Sequence, residues 1–211
     1  MKNILPILAD LANGMFAVVL VSYGIGHEIV WWYFLVGIVC AMSPDIDAIP
    51  ELLMRGRVAA SAEHPRDHRT FLHYPIVSIP LGLLAVWLFP YWGAIWFVAV
   101  MLHLVNDLYG TGWGLPLLYP FCTDHFKFFT RKVNLWPRLL RERNLFEGVT
   151  HEDIRVRFLV LWKQDELQAL IQRYGIDKWI EVCYLRLTVV AIVEYSLFVL
   201  ASALAVYSLL Y

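Results

Sequence analysis

The chain has 211 residues, 60% of them hydrophobic and 17% charged, with a mean hydropathy of +0.59. A soluble domain runs at about 45–50% apolar and about 25% charged, so a soluble globule is excluded and a polytopic membrane protein is implied. The net charge of −1 leaves no basic footprint for nucleic acid.

A span needs about 20 mostly apolar residues, and five stretches qualify or come close. The first is Ile4–Tyr23, which carries Asp10 and Asn13. Lys2 and the apolar run behind it resemble a signal peptide, but Asp10 and Asn13 interrupt the run and no small-x-small site follows cleanly. An uncleaved first span is therefore expected. The second, Ile29–Met42, is rich in aromatics and free of charge, and it runs into Ser43-Pro44-Asp45-Ile46-Asp47. A loop over Glu51–Thr70 contains Asp67-His68-Arg69, and His73 follows it. The third and fourth spans are Tyr74–Phe89 and Gly93–Tyr109, joined by Pro90-Tyr91-Trp92 with its interfacial aromatics. The last is Leu187–Leu210, with Glu194 inside it.

The stretch Thr111–Arg186 is charged and only intermittently apolar. A short basic helix is expected over Arg138–Asn144, after Leu135-Trp136-Pro137. Thr150 is a candidate N-cap, with Asp153 three residues on. A helix from His151 to about Lys163 would put Ile154, Phe158 and Leu161 on one face. A second, about Asp165–Tyr174, stops at Gly175. Asp177–Arg186 is expected to run straight into the last span. The fold expected is an all-α membrane bundle of about five transmembrane helices with an amphipathic helical insert. Its divisions are a membrane core over 1–121, a cytoplasmic or interfacial insert over 122–186, and the final helix over 187–211. Cys40, Cys122 and Cys183 are scattered without CxxC and are read as free thiols.

Basic residues set the orientation. Arg55, Arg57, Arg66 and Arg69 lie in the Glu51–Thr70 loop, and the insert holds every other Lys and Arg except Lys2. The Gly24–Glu28 and Pro90–Trp92 loops hold none. The N-terminus, the long loop and the insert are thus placed in the cytoplasm, and the C-terminus outside. In this topology Asp45, Asp47, His68, His73, His103 and Asp107 all reach the cytoplasmic side. Asp10, six residues into its span, lies about 9 Å below that surface.

These residue types suit a metal. His103 and Asp107 are i, i+4, so one helix face offers an imidazole and a carboxylate to a common centre. His68 and His73 are i, i+5, about 140° apart on an ideal helix, and work together more easily with His68 in the loop. Imidazole and carboxylate without thiolate fit Zn, Mn, Fe or Ni, as one ion or a dinuclear pair. Each cluster also has a plain reading. Asp45 and Asp47 can end a helix as solvated acids, His103 and Asp107 can share a structural hydrogen bond, and Asp10 and Glu194 can be polar contacts between spans. His27, His125 and His151 read as ordinary surface or interfacial residues. Gly110, Gly112 and Gly114 read as turn residues, since their spacing is not a phosphate-loop fingerprint.

In order, the chain carries Pro44-Asp45-Ile46-Asp47, His68-Arg69-x-x-x-His73, His103-x-x-x-Asp107 and Gly114-Leu115-Pro116-Leu117-Leu118-Tyr119-Pro120. Over roughly Asp10 to Phe121 this set resembles the YdjM-type family of bacterial inner-membrane proteins, described as LexA-regulated, membrane-bound, metal-dependent hydrolases. The resemblance implies a multi-pass inner-membrane fold with a metal site on these His and Asp residues. It implies no substrate. The chain departs from the family's His-Arg-Gly-x-Thr-His-Ser with His68-Arg69-Thr70-Phe71-Leu72-His73-Tyr74. Asp10 stands where the family commonly has a first-span His, and the insert after Phe121 is long.

The expected function is hydrolysis at the cytoplasmic interface, with a divalent metal on Asp45, Asp47, His68, His73, His103 and Asp107, and Asp10 as an extra ligand. Asp45 is the candidate general base, and Arg69 the residue to hold a phosphate or a developing oxyanion. Membrane lipids are the expected partners and a lipid or amphipathic ester, including a phosphoester, the expected substrate. A transporter or metal-ion carrier is the alternative, and a non-catalytic scaffold whose insert docks a partner is a third reading. The orientation is checked by cysteine labelling from outside intact cells. Thiols placed at Gly26 and Tyr211 are expected to react and those at Arg57 and Arg143 to be spared; strong labelling at Arg57 would put the site on the other face.

Overall fold

The computed structural model describes residues 2–55 and 69–211. His68, and with it Arg57, His64 and Arg66, lies outside the described residues. The chain opens with a 3-10 turn, Lys2–Ile7, that leads into α1 (Leu8–Ile25). After α2 (Trp31–Ala41) come a 3-10 turn at Pro44–Asp47 and α3 (Ala48–Arg55). A further 3-10 turn, Phe71–His73, precedes α4 (Pro75–Leu88), and α5 (Pro90–Tyr109) follows at once. Pro90 opens α5, so the expected three-residue turn shrinks to Phe89, which lies between the two helices with φ −137 and ψ 75.

Helix α1 packs against α2 and α5, and α4 packs along α5. The shared core is built of small and branched residues, among them Ala12, Ala17, Val18, Ile95 and Ala99. Without a hydrophobic difference between helix and lipid, close backbone approach does the packing. Gly14 and Gly37 show it: a Cβ on Gly14 would collide with the Gly37–Ile38 backbone, and one on Gly37 with Gly14.

Where five spans were expected, the described residues hold three helices long and apolar enough to cross a membrane, or up to four if a bent pair counts as one. The three are Ile4–Ile25, Pro90–Tyr109 and Val189–Leu210. The second expected span is broken: Trp31–Ala41 and Pro44–Met54 meet at 44°. Pro44, at the first helical position after Ser43, cannot continue the hydrogen-bond ladder of α2. The third, α4, has 14 residues and rises about 21 Å, short of the roughly 30 Å of hydrocarbon.

The insert departs furthest from expectation. It contains a two-stranded antiparallel sheet, β1 (His125–Thr130) with β2 (Arg157–Trp162), in a register that pairs His125 with Trp162 and Thr130 with Arg157. It also contains α6 (Pro137–Glu142), α7 (His151–Ile154), α8 (Gln164–Tyr174) and α9 (Trp179–Cys183). The expected helix over His151–Lys163 is therefore one turn followed by a strand. The capping box of Thr150 and Asp153 starts α7 as anticipated, but the chain turns extended at Arg155, ψ 134. Ile154, Phe158 and Leu161 fit a helical period, yet the residues buried in β2 are Val160 and Trp162, which follow period two. Those two side chains join Trp113, Leu140, Leu167 and Ile171 in a core separate from that of the bundle. Residues 177–186 do not run straight on: Leu187 has φ +49, and Thr188 caps α10 (Val189–Leu210), accepting from the Ala191 N–H. Helix α10 returns to pack on α1.

Replacing Gly14 by Val is expected to unfold the bundle, while Gly24→Val, where a Cβ meets nothing within 4 Å, costs only a shift in helix propensity. Thermal unfolding of both variants in mild detergent checks this; equal melting temperatures would mean that the crossing is not close.

Candidate metal centre

The polar residues of four separate segments meet at one end of the bundle. His103, in α5, is buried, and its Nδ1 lies 2.7 Å from Asp10 Oδ1 across the α1–α5 contact. His73 is fully buried; its Nδ1 is 3.4 Å from Asp47 Oδ2, which also accepts the Leu72 N–H at 2.8 Å. A carboxylate facing Nδ1 fixes the proton there and turns the Nε2 lone pair the other way. Both Nε2 atoms point to one spot and lie 3.4 Å apart.

Two carboxylates meet them there. Asp45 Oδ1 is 3.5 Å from His73 Nε2 and 3.7 Å from His103 Nε2. Asp107 Oδ2 is 3.6 Å and 3.5 Å from the same two atoms, and makes no hydrogen bond. The other Asp107 oxygen, Oδ1, takes Arg69 Nη2 at 2.7 Å. With the two Nδ1 protons held by Asp10 and Asp47, both Nε2 lone pairs and two carboxylate oxygens gather at one largely buried place. Such an arrangement is unfavourable on its own and fits a cation. A tetrahedral ion with bonds of about 2.0–2.2 Å sets its donor atoms about 3.3–3.6 Å apart, close to the separations found. Asp45, His73 and His103 form a group that could hold a metal ion, and the Asp107 oxygen adjoins them.

The expected ligands therefore fall into two kinds. Asp45, His73, His103 and Asp107 converge. Asp10 and Asp47 stand behind the imidazoles, each beside an Nδ1. Arg69 is engaged with Asp107 and with the Thr111 carbonyl at 3.3 Å. Its guanidinium lies against Gly112, whose φ of +90 leaves no room for a Cβ there. His125 and His151 are on β1 and α7. Glu194, in the last helix, is fully buried, and its Oε1 would be 3.2 Å from a Cβ on Gly110, at the end of α5. It belongs to the same end of the bundle as the centre.

A family model described as YdjM inner membrane protein matches residues 9–207. The chain belongs to this family. No curated protein and no solved structure matches it. The YdjM match runs past Phe121 through the insert and most of α10, so the resemblance is not confined to the first 121 residues.

Four contacts around the YdjM centre were not anticipated. Lys127, buried on β1, donates to the Gly112 carbonyl at 2.5 Å, and Asn134 Nδ2 donates to it at 2.8 Å. Trp96 Nε1 donates to Ser43 Oγ at 2.9 Å, fastening the start of the bend to α5. Tyr74 stacks on Tyr119 at 4.3 Å. The inward period of β1 would have flagged Lys127, had the strand been recognised. Removing one partner of a buried ion pair costs about 3–5 kcal/mol. Arg69→Ala is expected to lower the unfolding free energy in detergent by that amount; a loss below about 1 kcal/mol, the worth of an exposed pair, would mean that the pair is solvated.

Proposed function

We propose that the chain is a membrane-bound, metal-dependent hydrolase with one divalent ion held by Asp45, His73, His103 and Asp107. The observation that carries the reading is the convergence of two Nε2 atoms and two carboxylate oxygens, 3.4–3.7 Å apart over the separations given above, with a further carboxylate behind each ring at Nδ1. Two nitrogens and two oxygens at this spacing favour Zn among Zn, Mn, Fe and Ni. An ion there would supply Lewis-acid activation of an ester and of water, the reacting oxygen entering as a fifth ligand because four protein donors complete the tetrahedron.

The chain's own residues do the rest. Asp10 and Asp47 hold the Nδ1 protons and aim the two rings. Arg69 holds one oxygen of Asp107 and so turns the other to the centre. Asp45 has the most exposed side chain of the four, at 36%, and is placed to accept a proton from water. The substrate is a lipid or amphipathic ester, phosphoesters included, and the site faces the cytoplasm. A carrier would need polar groups strung along the spans; Asp10, Glu194 and the four converging residues gather at one end instead.

Metal per protein in mild detergent tests the reading. Wild type is expected to hold one ion, and His103→Ala and Asp107→Asn to lose it. Asp10→Asn and Asp47→Asn keep it with affinity reduced about 10–100-fold, and His125→Ala and His151→Ala leave it unchanged. A plain structural hydrogen bond predicts instead that wild type is metal-free and that His103→Ala costs about 1–3 kcal/mol. Wild type empty of Zn, Mn, Fe and Ni after reconstitution would end the hydrolase reading.

A further inference from the structure

The mouth of the centre is walled by apolar groups, and one wall doubles back into the bilayer. Helix α5 has 20 residues and rises about 30 Å, the thickness of the hydrocarbon core. Placed across that core end to end, α5 would put Tyr109 at one edge, with Leu104 and Val100 about 7.5 and 13.5 Å inside it. Leu115 and Leu117 form one packed cluster with Leu104 and Val100. Within a few residues of leaving the membrane, the chain has returned along α5 to bilayer depth.

The returning segment suits that environment. Residues 115–121, Leu-Pro-Leu-Leu-Tyr-Pro-Phe, carry no charge. Irregular backbone survives at membrane depth only when its polar groups are satisfied by protein. The N–H groups of Leu115, Leu117, Tyr119 and Cys122 donate to Phe126, Leu115, Pro116 and Leu118 carbonyls, and Pro116 and Pro120 have none to satisfy; the N–H groups of Leu118 and Phe121 find no backbone acceptor among the described residues, which suits that end of the segment to headgroup level. The side chains of Leu118 and Phe121 nevertheless point away from the protein, Phe121 with 91% of its surface exposed.

This lip borders the centre. Tyr119 stacks on Tyr74, the neighbour of His73. The turn of Asp45 and Asp47 packs on the turn of His73, and both expose an apolar side chain, Ile46 and Phe71. Asp45, the most exposed of the four donors, lies on the first of these turns beside Ile46. His103 lies about 9 Å along α5 from Tyr109.

We infer that the centre opens sideways into the bilayer over the 115–121 lip, and that its substrate is a bilayer lipid. The alkyl chain stays in the leaflet along Leu118, Phe121 and Phe71 while the polar head reaches Asp45. This rests on the metal-hydrolase reading and adds the route and the class of substrate.

The test uses the full chain with its three native thiols replaced by serine, in vesicles of phosphatidylethanolamine and phosphatidylglycerol. Bimane is attached at Phe71→Cys, at Phe121→Cys, and at Gln168→Cys on α8 as the control. Phosphatidylcholine with a doxyl group on carbon 5 is expected to remove most of the emission at positions 71 and 121 and little at 168, with aqueous iodide acting the opposite way. Iodide quenching at 71 and 121 without doxyl quenching would mean that the mouth opens to water, and the inference falls. Metal content measured on the same samples separates the two claims. A loaded centre with iodide-quenched labels removes only the lateral route; a metal-free wild type removes the centre and the inference with it.

Discussion

Four acceptor atoms held face to face inside a membrane bundle are the constraint on which the rest depends. Coulomb repulsion between like partial charges grows as the local dielectric falls, so the cluster needs positive charge. Arg69 provides some of it through Asp107 Oδ1. The facing oxygens and nitrogens form a group that could hold a metal ion. Everything that positions them is costly elsewhere: Asp10 in an apolar helix, a broken span at Pro44, and a guanidinium folded under a glycine. Strain and polarity of this kind gather where function needs them.

The lobe after α5 is tied into this arrangement. Lys127 and Asn134 both donate to the Gly112 carbonyl, which fixes the loop that covers Arg69. Gly114, φ +74, brings that loop against the Phe126 carbonyl with no space for a side chain. The order of support runs from the sheet to the loop, from the loop to Arg69, and from Arg69 to Asp107. Tertiary contacts thus set the direction of a single carboxylate oxygen.

Much of the centre was legible in the sequence because charge is scarce in an apolar chain. Asp45, Asp47, His73, His103, Asp107 and Asp10 stand out against their surroundings, and the basic loops brought them to one depth. What could not be read was which of them converge. Asp10 and Asp47 differ from Asp45 and Asp107 only in whether they meet an Nδ1 or the facing Nε2 atoms, and that is decided by helix packing. The strands were missed for a different reason. Phe158 and Leu161 satisfy a helical spacing with Ile154 by coincidence, and the pairing of β2 with β1 lies across 26 intervening residues. The broken second span was visible only as Pro44; the shortness of α4 was visible outright, and composition outweighed it.

The hydrogen bond between Asp10 and His103 joins residues 93 apart, which has a consequence for biosynthesis. Helix α1 is made and inserted long before its partner leaves the ribosome. A carboxylate at the centre of a span opposes insertion by about 2.5–3.5 kcal/mol; Asp10 sits nearer an edge, where the cost is lower, but it still enters lipid alone. The high hydropathy of Ile4–Ile25, 2.1, is what lets this helix enter before its partner exists. Substitutions that make α1 more polar would then be felt as failed insertion in the newly made chain, even where the finished bundle could accommodate them.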